Sequence, residues 1–175
     1  IAKLKVDFTD IEKNHIPYLI NIKGLKGGHS GDDIHKGLGN ANKFLVRILW
    51  EAFEKFNIKI SNIDGGNLRN AIAREAVAQI FIDSNKIEYF AEWFQNIVYI
   101  IKNEYKNTEP LLEISVEKNT YQGKILDEKS QYKLLNALYA CPHGVISWSQ
   151  EIKGFVQTST NLASVKLCCY YHKPA

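Results

Sequence analysis

Gly24-Leu25-Lys26-Gly27-Gly28-His29-Ser30-Gly31-Asp32-Asp33-Ile34-His35 joins a strand-like run, Pro17 to Ile22, to a long amphipathic segment that begins at Asp32 or Asp33. Its glycines permit positive φ or a close approach of the backbone to another group. Asp32 and Asp33 suit a helix start, where unpaired N–H groups and the helix dipole favour acid. His29, set among the glycines, can titrate, donate or ligate. It is the residue of this stretch that we assign to chemistry. The competing reading is a histidine that hydrogen-bonds across its own turn.

Downstream of the stretch, Leu38, Ala41, Leu45, Ile48, Leu49 and Ala52 recur at helical intervals, which predicts a helix from about Asp33 to Phe56 with Asn57 as its stop. Upstream, Leu4 to Phe8 and Ile16 to Gly24 both alternate and predict an antiparallel strand pair. Ile58 to Ile63 reads as a strand, and Asp64-Gly65-Gly66-Asn67 as a turn. Glu75 to Ile82 reads as another strand, and Asp83 or Ser84 caps a second helix that reaches Tyr105. Asn107-Thr108-Glu109-Pro110 breaks that helix. Beyond it the chain predicts a strand over Leu111 to Val116, a helix over Asp127 to Tyr139 closed by Pro142-His143-Gly144, and a last strand from Val156 to Leu167 that extends toward Tyr171.

Helices that separate strand pairs favour an α+β, two-layer sandwich. The expected form is an antiparallel sheet of about four strands with two helices on one face, plus a C-terminal α/β extension over roughly 107–155. Residues 1–175 form one domain with no internal repeat or linker.

Composition narrows the function classes. A chain of 175 residues, 45% hydrophobic and 23% charged, can bury a core of its own. Its net charge of +3 comes from lysines interleaved with acids, which argues against a nucleic-acid footprint. No apolar run approaches the ~20 residues that a membrane helix needs, and no signal-peptide pattern opens the chain. Cys141, Cys168 and Cys169 lack zinc-ligand spacing, and their odd number suits a reduced, cytoplasmic setting. There is no methionine, and the chain opens on Ile1-Ala2-Lys3-Leu4-Lys5-Val6 as if in mid-strand, so we expect a domain taken from a longer protein.

No metal-ligand motif accompanies His15, His29, His35, His143 or His172. Gly24-x-x-Gly27-Gly28 ahead of a helix superficially suits a phosphate, but it lacks Gly-Lys-Ser/Thr, and Asp32-Asp33 would repel the anion. Cys141 with His143 would need an orienting group and an oxyanion hole to act as a nucleophilic pair, and Cys141 reads better as a buried small residue. A second glycine-rich turn, Gly65-Gly66-Asn67-Leu68-Arg69-Asn70-Ala71-Ile72, offers guanidinium and amide donors from Arg69 and Asn70. It reads otherwise as a hairpin turn with a solvated arginine. The two glycine-rich segments leave neighbouring strand ends and could line one rim.

The string from Gly24 to Lys43, the segment Gly65 to Ala76, and Leu134-Leu135-Asn136-Ala137 through Pro142-His143-Gly144-Val145 to Thr158-Ser159-x-Asn161-Leu162 together resemble the bacterial Xaa-His dipeptidases. These are carnosine-splitting, di-zinc metallopeptidases, and the similarity fails only over about Cys168 to Ala175. The resemblance implies the lid and dimerisation domain alone, with two zinc ions held by a catalytic domain outside this chain and no metal ligand within it. It implies a dipeptide substrate and a homodimer. It assigns His29 the role of polarising the scissile carbonyl and stabilising the oxyanion, often across the dimer, and it places Asn70, Arg69 and Gly28 at the substrate. The chain departs from the family at Ala73, where proline is common, and at Asp83, where some relatives carry a carboxylate-gripping arginine. Carboxylate recognition then falls to Arg69 or Arg74. His35 matches the string without an evident role. Two non-enzymatic readings stand beside this one: a dimerisation or peptide-binding module, and, by fold analogy, an amino-acid-binding regulatory domain.

Overall fold

The computed structural model describes residues 1–167. The expected continuation of the last strand to Tyr171, and Cys168 and Cys169, lie outside the described residues. In chain order the elements are strands β1 (Phe8–Thr9), β2 (His15–Lys23) and β3 (Gly28–His29), helix α1 (Ala41–Phe56), and strands β4 (Lys59–Gly65), β5 (Ala71–Ile72) and β6 (Ala76–Asp83). Helix α2 (Ile87–Glu104) follows, then strands β7 (Glu113–Lys118) and β8 (Ile125–Leu126) and helix α3 (Glu128–Ala140). Strands β9 (Gly144–Trp148), β10 (Val156–Thr160) and β11 (Val165–Leu167) end the described chain.

The main sheet has five strands, all antiparallel, in the order β11-β4-β6-β2-β7. Its central strands place Ile20, Ile22, Ile60, Ala78, Ile80 and Ile82 on one face, and each is almost wholly buried. Helices α1 and α2 cover that face with Leu45, Ile48, Leu49, Phe90, Phe94 and Ile101. This is the expected α+β sandwich, with strands whose core-facing residues recur at every second position beneath helices of 3.6-residue period.

Four local expectations are corrected. Leu4 to Phe8 does not pair with β2, because β2 is interior and both its edges are taken by β6 and β7. Only Phe8 and Thr9 pair, and they pair with β8. The helix predicted from Asp33 begins instead at Ala41: Ile34–Lys36 is a single 3-10 turn, and Gly37 is left-handed with φ 66°. Asn40 then caps α1 by accepting from the amides of Asn42 and Lys43. The sheet has five strands rather than about four, because β7 and β11 supply its edges. The run from Val156 to Leu167 is two strands in different sheets, and β10 pairs with β9, a strand that begins at the last residue of the Pro142-His143-Gly144 turn and for which no strand was expected.

Helix α3 packs on the flank of α1, and its buried Gln131 completes the sheet at that side. The Gln131 amide accepts from the N–H of Ile60 at 2.7 Å and donates to the carbonyl of Ile58 at 2.8 Å, as a strand neighbour would. Without it, two strand polar groups would be buried unpaired.

Candidate functional site

The two glycine-rich segments meet. Strand β3 pairs antiparallel with β5, Gly28 opposite Ile72 and His29 opposite Ala71, and the Ser30 N–H extends the ladder to the Asn70 carbonyl at 2.9 Å. The result is a two-stranded tab beside the main sheet that carries His29 on one strand and Arg69 and Asn70 at the start of the other. All three side chains are exposed.

Glycines are required here by contact rather than by flexibility alone. A Cβ on Gly28 would lie 2.8 Å from the Asp33 carboxylate, which folds back over the tab. That carboxylate accepts from the His29 N–H at 2.7 Å and pairs with Lys36 at 2.6 Å. The Lys36 contact and the His29 amide hold Asp33 below the usual carboxylate range.

The imidazole of His29 is half exposed, and its two nitrogens are differentiated. Nδ1 accepts from the backbone N–H groups of Gly31 and Asp32, each at 3.2 Å. Asp32 Oδ2 also stands 3.4 Å from Nδ1, a contact open only to a ring with its proton on Nδ1. With Nδ1 accepting from two backbone amides, the neutral form of the ring has Nε2 as its donor. The turn-spanning hydrogen bond uses Nδ1 and leaves Nε2 without a protein partner among the described residues.

Arg74 is exposed, with part of its side chain engaged by the loop. Its Nε donates to the Leu25 carbonyl at 3.1 Å, and its aliphatic stem fills the space beside Gly27. Of the two exposed arginines that could receive a carboxylate, Arg69 has no such brace among the described residues. His35 lies exposed on the 3-10 turn, next to β9.

Behind the tab lies a polar cluster whose coming together the sequence did not indicate. Asn40, 1% exposed, donates from Nδ2 to Asn161 Oδ1 and to the Leu162 carbonyl, each at 3.2 Å, and approaches His143 Nδ1 at 3.3 Å. Asn161 in turn donates to the carbonyl of Ala71, opposite His29, at 2.8 Å. Burial, helped by the charge of Lys43, pushes the His143 imidazole below its ordinary value. Lys43 itself caps the end of α3, with Nζ 3.0 Å from the Tyr139 carbonyl and 2.7 Å from that of Cys141. His143 is thus engaged with asparagines rather than poised to activate Cys141. Among the described residues, no group of three or more His, Cys, Asp and Glu side chains could hold a metal ion.

Comparison with known proteins agrees with this architecture. Residues 13–109 match the family described as a peptidase dimerisation domain. The chain is 37% identical over 170 residues to the cytosol non-specific dipeptidase of Escherichia coli (strain K12), covering 93% of this chain and 35% of that protein. It superposes on the crystal structure of aminoacylhistidine dipeptidase from Vibrio alginolyticus with a TM-score of 0.91 and 33% identity, over 94% of this chain and 34% of that one. The chain therefore spans about a third of the length of these relatives.

Proposed function

The chain belongs to the peptidase dimerisation domain family, and on that premise we propose that it is the lid and dimerisation domain of a dipeptidase acting on Xaa-His dipeptides such as β-alanyl-histidine. The aminoacylhistidine dipeptidase of Vibrio alginolyticus, by its name and its superposition over nearly the whole chain, supports the substrate class. The family description supports a homodimer through this domain. A cytoplasmic setting draws support from the name of the Escherichia coli relative, and no helix of the described residues is long and apolar enough to cross a membrane. The parent would bind two zinc ions through a catalytic domain outside this chain. The described residues do not fit that role, and none is assigned it.

The chain's own contribution is a positioned donor. When an amide carbonyl is attacked, its oxygen gains charge, and a donor aimed at that oxygen binds the transition state better than the ground state. His29 suits this task because its Nδ1 is held by the Gly31 and Asp32 amides while the ring stays half exposed, which leaves Nε2 free to donate to a substrate. The two backbone amides that hold Nδ1 are the observation that carries the proposal. Asn70 and Arg69, at the start of the partner strand, would bind the peptide and its terminal carboxylate. Gly28, next to His29 in the tab, would lie alongside the bound peptide.

The test is hydrolysis by the full-length parent, with added zinc or manganese, of β-alanyl-histidine against alanyl-alanine. Cleavage that favours the histidyl peptide is expected. Equal cleavage of both would remove the Xaa-His specificity while leaving a dipeptidase. Cleavage of neither would favour a non-catalytic dimerisation or peptide-binding module.

A further inference from the structure

Glu109 sits just past the end of α2 and is 3% exposed. Its carboxylate faces two backbone donors and, among the described residues, no cation. Oε2 accepts from the Lys26 N–H and Oε1 from the Gly39 N–H, both at 2.8 Å. Lys26 and Gly39 are the two ends of the excursion that carries His29, Asp33 and the 3-10 turn. One buried side chain therefore closes the base of this loop, as in an Ω-type loop whose ends lie close together.

The packing around it leaves little alternative geometry. A Cβ on Gly39 would lie 2.5 Å from Leu25 and 2.8 Å from the Phe44 ring, so the returning strand is pressed against the outgoing one. Gly24, at φ 81°, lies against the Leu111 carbonyl two residues beyond Glu109. The loop is thus seated on the segment 109–111 at both of its ends. Such a carboxylate costs solvation that its two amide contacts must offset. A glutamine would keep only one acceptor and would turn its NH₂ toward the second N–H.

We propose that Glu109 is a positioning residue for His29: by tying Lys26 to Gly39 it fixes the loop so that Nε2–H meets the reacting carbonyl. The inference rests on the catalytic reading of His29 given above. A misplacement of about 1 Å can cost as much as a hundredfold in rate.

The experiment compares Glu109→Gln, His29→Ala and the double variant in the full-length parent. It follows kcat and KM for β-alanyl-histidine and hydrogen–deuterium exchange over residues 26–39. Glu109→Gln is expected to speed exchange in the loop and lower kcat by about tenfold to a hundredfold, with KM little changed. In the His29→Ala background it should lower kcat no further. Should Glu109→Gln not fold, Glu109→Asp, which keeps the charge but shortens the reach, takes its place with the same expectation. Unchanged loop exchange would overturn the clamp. An additive loss in the double variant would show that Glu109 does not act through His29 and would also overturn the proposal. Wild-type turnover by His29→Ala would remove the catalytic reading itself, and the positioning role with it. The exchange data would still report separately whether the clamp exists.

Discussion

The side-chain amide of Asn161 donates to the carbonyl of Ala71 at 2.8 Å, across 90 residues of sequence. Ala71 is the residue opposite His29 in the tab, so the end of the described chain braces the strand that supports the candidate catalytic side chain. Asn40 joins the same cluster from the first helix, and its amide reaches both Asn161 and the Leu162 carbonyl. The link between β10 and β11 is thereby tied to the core through the cap of α1.

Asn40 is therefore cap and strut at once. Replacing it with alanine removes the acceptor for the Asn42 and Lys43 amides and strands Asn161 and His143. Loss of a cap alone costs about 1 kcal/mol, and unpaired buried partners add about 1–3 kcal/mol. Denaturant unfolding of Asn40→Ala should show a midpoint drop well beyond that of a control cap substitution, Asp127→Ala, on α3. A loss no larger than the control's would mean that the cluster contributes nothing.

His143 gives the fold a pH dependence of defined sign. Its folded-state pKa lies below the ordinary 6.5, chiefly through burial. The unfolded chain consequently binds more protons than the folded one as pH falls through about 6.5, and stability falls with it. Thermal melts of wild type between pH 8 and pH 5 should show a decline that His143→Gln reduces. Asp33 and Asp127, whose pKa values are lowered, contribute only below this window, near and under their ordinary 3.8. A variant with the same profile as wild type would remove His143 from this account.

Gly66 offers a test of backbone geometry. Its φ is 64°, and a Cβ there would stand 1.9 Å from the Ala163 carbonyl oxygen, so strain and a clash with backbone coincide. Gly66→Ala should cost more than the ~1 kcal/mol that a left-handed alanine alone incurs. Gly154→Ala, at φ 79° with nothing near its Cβ, should show only that smaller cost. Equal losses by chemical denaturation would contradict the contact.

Much of this fold was legible because its elements obey a single period over many residues. The second helix and the stop at Asn57, which is left-handed at φ 54°, follow from pattern and cap chemistry, although Asp83 caps a 3-10 turn over Ser84–Lys86 that precedes the helix rather than the helix itself. The alternation of Leu4 to Phe8 was a real signal with the wrong consequence, because nothing local reveals that β2 has no free edge. Strands of two residues, such as β3 and β5, are too short for periodicity, yet they create the tab. His29 and Asn70 could be singled out as polar residues beside glycines. Glu109 could not, since its partners are backbone amides 83 and 70 positions away, and a glutamate before a proline carries no mark of that role.

The central claim is that His29 donates to the oxygen of the reacting carbonyl. Its most direct test is kcat of the full-length parent for β-alanyl-histidine, with zinc or manganese present, for wild type and His29→Ala. Removing one oxyanion donor typically lowers kcat by about two to three orders of magnitude, and a loss of that size is predicted. Equal kcat values for the two proteins would contradict the claim and leave His29 a turn residue in a domain that only shapes and dimerises.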